Sequence, residues 1–173
     1  MFRLPGRTIL VHSLVLGSFL LFTIFLAGPL FDRLEAIPGE ARQVRLSLPD
    51  ETGSVRYHLE RIVVSASALE LHGWAFIENY STDNKDTFLV LKSAGKSYLF
   101  DTSSLFNNTV TARFGGPDLN LDWSGFLTVV PMRKIEKGVY TIGLYLIKDE
   151  VAALQYTDKV INRSGDSVEL VEP

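Results

Sequence analysis

Hydrophobic and polar residues follow two different patterns along the chain. From Thr8 to Phe31 no residue carries a formal charge, and Leu, Val, Ile and Phe dominate Ile9–Leu26 without a polar face at helical spacing. As a helix, Thr8–Ala27 spans about 30 Å, the thickness of a bilayer's hydrocarbon core. Gly28-Pro29 follows as a helix stop. This pattern predicts a transmembrane helix within residues 8–31, with residues 1–7 before it and a polar, turn-prone stalk over 32–42 after it.

From Gln43 to Pro173 the period is two rather than 3.6. Val44, Leu46 and Leu48 alternate with Arg45 and Ser47, and Val55, Tyr57 and Leu59 alternate with Arg56, His58 and Glu60. The apolar row then changes parity at Ile62 and Val64, which predicts a bulge near Arg61. Leu69, Leu71, Gly73, Ala75 and Ile77 form the next row. Phe88–Leu91 and Tyr98–Phe100 read as a hairpin joined by Ser93–Lys96. Phe126–Val130 and Val139–Ile147 flank a charged turn, Arg133–Gly138. The second of these is apolar on both faces, the mark of a central strand. Val151–Ile161 and Val168–Val171 complete the pattern. No soluble helix is expected. The fold class that follows is all-β: an antiparallel, immunoglobulin-like β-sandwich over 43–173, preceded by the membrane helix.

Composition narrows the setting. The chain has no Cys, which excludes a disulfide scaffold, a zinc finger, an iron–sulfur centre and a thiol nucleophile. A net charge of −3 argues against nucleic acid as a partner. All 20 acidic residues lie at or beyond Asp32, whereas Arg3 and Arg7 precede the apolar stretch, so the positive-inside rule places the N-terminus in the cytoplasm. The stretch exceeds the usual signal-peptide core, and Phe25 or Leu26 would stand at −3 of a cut, so an uncleaved anchor is expected. Absence of disulfides outside the membrane favours a prokaryotic cell envelope.

Candidate chemistry is sparse. Glu70, His72, Trp74 and Phe76 share a parity on one strand, and a ring beside a carboxylate and an imidazole is a platform for a sugar. The alternative places Trp74 in the core, with Glu70 and His72 at an exposed strand end. Trp123 is the better candidate for an exposed ring. Asp118, Asn120 and Asp122 offer oxygen ligands at alternate positions, as calcium loops do, and Asp83, Asn84 or Asp86 would be needed to complete such a site. The competing reading is a solvated turn after Gly115-Gly116-Pro117. Ala94-Gly95-Lys96-Ser97 ends like a phosphate-binding loop, but Val90 stands where the first glycine is required. His58 and His72 fit no metal spacing, and no nucleophile-elbow motif is present, so no catalytic residue is assigned and a non-enzyme is expected.

Leu71-His72-Gly73-Trp74-Ala75-Phe76, Trp123-Ser124-Gly125-Phe126 and Gly138-Val139-Tyr140-Thr141-Ile142 carry a resemblance. Across Tyr57–Ile161 the chain resembles small immunoglobulin-like β-sandwich modules of bacterial membrane-anchored envelope proteins, some linked to surface polysaccharides. The resemblance implies the fold and the cellular setting and transfers no catalytic residue. The expected protein is therefore a single-pass membrane protein with its bilayer contact in residues 8–31. Its extracytoplasmic domain contacts envelope glycan or a partner membrane protein. A purely structural subunit of a membrane complex is the first alternative, and an envelope hydrolase or transferase with a dispersed site the second.

Overall fold

The computed structural model describes residues 15–19, 22, 39–165 and 167–171. The chain divides into two units, Met1–Pro38 and Gly39–Pro173. In the first, residues 15–19 and 22 are helical. Val15, Leu16, Phe19 and Phe22 on it are exposed. No helix among the described residues is long and apolar enough to cross a membrane, and the rest of the expected 8–31 span lies outside them.

The second unit is built from antiparallel strands: β1 (Gln43–Val44), β2 (Val55–Val64), β3 (Ala68–Ile77), β4 (Lys85–Lys92), β5 (Ser97–Asp101), β6 (Ser103–Leu105), β7 (Gly125–Pro131), β8 (Gly138–Lys148), β9 (Val151–Ser164) and β10 (Ser167–Val171). They form a four-stranded sheet in the order β2-β3-β7-β6 and a six-stranded sheet in the order β1-β5-β4-β8-β9-β10. One buried cluster joins them, drawing Leu69, Leu71 and Phe126 from the smaller sheet and Leu89, Phe100, Ile142 and Leu144 from the larger. Each such side chain contributes about 1.5–3 kcal/mol on leaving water, which drives the two sheets face to face.

Alternation explains which face each strand buries. Along β3, Leu69, Leu71, Gly73, Ala75 and Ile77 are buried, while Glu70, His72 and Trp74 on the other parity are partly exposed. The pairing of β2 with β3 shifts register between Leu59 and Arg61, where the apolar row changes parity. β8 lies between β4 and β9. Its two faces feed separate clusters, Ile142, Leu144 and Leu146 the main core and Tyr145 a second one with Val90, Leu99 and Leu154. A second register shift, between Thr141 and Gly143, has no counterpart in the sequence pattern. A Cβ at Gly143 would lie 2.8 Å from the Tyr156 ring, so the ring occupies the space a side chain would need.

The β7–β8 corner is pinned by a tyrosine. The Tyr140 hydroxyl donates to the Glu136 carbonyl at 3.0 Å. The Glu136 amide in turn donates to the Tyr98 hydroxyl at 3.3 Å. Gly138 enters β8 at φ +153°. That positive φ is open to glycine and strained for other residues.

Several features depart from the expected pattern: the alternation over Val44–Leu48 forms strand only at Gln43–Val44, and the short β6 was not anticipated. A helix, Asn108–Phe114, follows β6, and a 3₁₀ turn, Met132–Lys134, opens the charged corner. The helix has seven residues and buries only Val110, too little to display a 3.6-residue period. Asn107 caps it, its side-chain oxygen accepting the Thr109 amide at 3.2 Å. The compact unit also starts at Gly39, ahead of Gln43. The Ala41 amide donates to the Val129 carbonyl at 2.8 Å, and Ala41 is buried. This tie is a tertiary contact with no local signature.

Candidate functional site

The outer face of the four-stranded sheet carries one of the two expected constellations. Glu70, His72, Trp74 and Phe76 share a parity on β3, and each has a partner. Glu70 lies 3.8 Å from Arg61, and His72 Nδ1 lies 3.1 Å from a Glu60 oxygen. Trp74 stacks on Phe76 at 5.8 Å between ring centres, tilts against Phe114 at 5.3 Å and meets His58 at 6.0 Å. The Asn108–Phe114 helix covers this ring group with Val110 and Phe114. Trp74 thus belongs neither to the main core nor to an open platform. It is partly buried in a satellite cluster between the sheet and the helix.

The Asp118–Asp122 loop is stapled to the same helix. Asn120 Oδ1 accepts the Asp122 amide at 2.9 Å, and Asp122 Oδ1 accepts the Thr111 hydroxyl at 2.6 Å. The Asp122 carbonyl accepts the Asn107 amide at 2.6 Å. Asp118 is exposed. Among the described residues no group of three or more His, Cys, Asp or Glu is placed to hold a metal ion. The observed work of Asn120 and Asp122 is to shape the loop that leads into Trp123.

Trp123 is brought out to the surface beside the β3–β4 turn. Its amide donates to Thr82 Oγ1 at 3.1 Å, and the Thr82 amide donates to the Asn120 carbonyl at 2.8 Å. The indole is 47% exposed and the neighbouring Phe106 59%, so both rings keep large faces in water. Their planes cross at 78° with centres 5.6 Å apart, an edge-to-face pair that holds the indole in orientation. Beside the indole, Thr82, Asp83, Asn84, Lys85, Ser104 and Trp123 itself line a cleft of about 250 Å³.

Lys85 is the unusual member of this lining. The residue is only 6% exposed. Its ammonium donates to Thr87 Oγ1 at 2.5 Å and has no ion-pair partner among the described residues. Lys148, directly opposite in the β4–β8 register, takes the nearby acids instead, with Asp149 at 3.2 Å and Asp83 at 3.8 Å. Burial therefore lowers the Lys85 pKa from its ordinary 10.5 to about 8, against a smaller opposing pull from Asp86.

Hydrophobic alternation alone does not single out Lys85. Its strand was expected to begin at Phe88, whereas β4 begins at Lys85. One signal was present: Lys85 and Thr87 share the parity of the buried Leu89 and Leu91. A cation on a core row is a local rule broken, and such breaks concentrate at functional or strained positions. No protein-family model, curated protein or solved structure matches this chain.

Proposed function

We propose that this chain is a membrane-anchored binding module of a prokaryotic cell envelope, without catalytic activity, that takes up glycan in the cleft beside Trp123. The observation that carries the reading is the exposed indole of Trp123, braced by Phe106, in the lining of a cleft that also holds hydroxyl, amide and carboxylate side chains and Lys85. An aromatic face offers apolar area to the C–H side of a sugar ring while the polar lining meets its hydroxyls.

An immunoglobulin-like assignment of the domain is supported by strand order. With β2, β3, β7 and β6 taken as A, B, E and D, and β5, β4, β8 and β9 as C′, C, F and G, the two sheets read A-B-E-D and C′-C-F-G. Tyr140, at the start of the F position and bonded back to Glu136, occupies the place of a tyrosine corner. The domain departs from antibody domains in lacking cysteines and a tryptophan on β4. The membrane anchor is supported by the exposed Val15, Leu16, Phe19 and Phe22 on a helical segment, an apolar surface that lipid accommodates and water does not. Tethering then raises the effective concentration of the cleft near envelope polymers, so weak individual contacts suffice.

The test is a glycan array probed with the full chain in lipid nanodiscs, alongside the Trp123→Ala variant. Retention of envelope polysaccharides by the parent chain and its loss in the variant is expected. Absence of retained glycan, combined with stoichiometric co-purification of a membrane protein, would replace this reading with that of a structural subunit.

A further inference from the structure

We infer that the Trp123 cleft selects an acidic sugar, one whose ring lies on the indole and whose carboxylate reaches the Lys85 ammonium. This inference rests on the glycan reading above and specifies the ligand class. Three observations lead to it. Lys85 belongs to the cleft lining, is buried but for a small exposed fraction, and its ammonium has one neutral hydrogen-bond acceptor, Thr87. An ammonium carries three N–H donors, so donors remain for a ligand. A carboxylate placed there makes charge-assisted bonds in surroundings that screen them poorly.

The neighbouring acids are disposed to leave this place open. Asp83 and Asp149 both lie against Lys148, which faces Lys85 across the β4–β8 pair. Asp86 is exposed on the opposite parity of β4. Lys85 thus makes no ion pair among the described residues although three carboxylates belong to the same strand end. Asp83 is the single carboxylate lining the cleft, and its pairing with Lys148 moderates its repulsion of an incoming anion. The aromatic pair decides between a sugar acid and an acidic peptide. A pyranose presents a flat C–H face to the indole, whereas an aspartate or glutamate side chain does not.

The titratable and charged groups near Lys85 are Lys148 opposite, Asp83 and Asp149, which flank Lys148, and Asp86, which acts from the other face of the same strand. The free ammonium loses its proton as pH rises through its lowered pKa. A bound carboxylate favours the charged form, so affinity for an acidic ligand declines above that pH in the free protein.

The experiment compares an oligogalacturonate with its methyl ester, the same chain with and without charge, against the full protein in nanodiscs by isothermal titration calorimetry. Tenfold or greater preference for the free acid is expected, with weakening from pH 7 to pH 9. Lys85→Met should abolish the preference. Asp83→Asn should strengthen acid binding several-fold, because it removes the one carboxylate in the lining. A neutral sugar held through Asp83 as an acceptor would respond to Asp83→Asn in the opposite direction. Equal affinity for acid and ester, unchanged in Lys85→Met, would overturn the inference while leaving the glycan reading in place. Equal binding of a poly-glutamate peptide and the oligogalacturonate would overturn the sugar selectivity. Binding of neither compound would overturn the acidic-sugar inference, and the glycan array then decides separately whether the broader reading stands.

Discussion

The two tryptophans put the same side chain to opposite uses. Trp74 projects from the middle of a strand onto the outer face of the smaller sheet, where Phe76, Phe114 and His58 surround it and a short helix covers the group. Trp123 leaves a loop at the edge of a cleft, with Phe106 as its aromatic neighbour and nearly half its surface in water. The first ring is packed into the domain, and the second keeps a large face in water. The polar groups around them divide in the same way. Glu70 and His72 are paired with Arg61 and Glu60, whereas Lys85 has one neutral acceptor. Packed and exposed aromatic rings, and paired and unpaired charges among the described residues, are thus segregated within a single domain.

Four substitutions sharpen or break that contrast. Trp74→Ala should destabilise the domain by about 3 kcal/mol, because the helix would lose the ring it packs on and a cavity would remain; urea unfolding reads this directly. A loss below about 1 kcal/mol would show that the satellite cluster adds little to stability.

Lys85→Met should act in the opposite direction. The Lys85 pKa is lowered on folding from 10.5 to about 8, so below pH 8 both folded and unfolded chains are protonated and the full burial penalty is present. Between pH 8 and 10.5 the unfolded chain holds more protons, so stability rises with pH, by up to about 3 kcal/mol in total. The variant removes this rise and, after loss of the Thr87 bond, should be more stable at pH 7 by about 2 kcal/mol. Thermal unfolding from pH 7 to pH 10.5 measures both effects.

Tyr140→Phe should cost about 1 kcal/mol, the worth of its hydrogen bond to Glu136, without affecting glycan retention. Denaturant midpoints and the glycan array check the two halves of that statement. Trp123→Ala should cost about 1 kcal/mol, from the edge-to-face contact with Phe106 and the buried part of the ring, while removing glycan retention, the largest functional effect of the set. A large loss of stability in Trp123→Ala would dissolve the contrast between the two rings.

Much of the strand pattern was legible because burying one face of a strand imposes a period of two that survives in any sequence. The bulge near Arg61 was legible for the same reason: an extra residue inverts the parity of every apolar position after it. β6 and the Asn108–Phe114 helix left no such trace. Three strand residues and seven helical ones are too few to repeat a pattern. At the site, exposure of Trp123 was anticipated from its loop, and the shared face of Glu70, His72 and Trp74 from their spacing. The covering of Trp74 by Phe114 was not legible, because it joins residues far apart in the chain.

Periodicity and composition therefore determine the all-β class, the apolar N-terminal stretch and the absence of cysteine chemistry, since each depends on residue type and near neighbours. The companions of each side chain are a different matter. Only chain folding sets Lys148 beside two carboxylates, leaves Lys85 with a lone hydroxyl and brings Lys85 and the Trp123 indole into the lining of one cleft. Those relations join separate strands and loops, and the charge state of a buried amine follows from its surroundings rather than from its place in the chain.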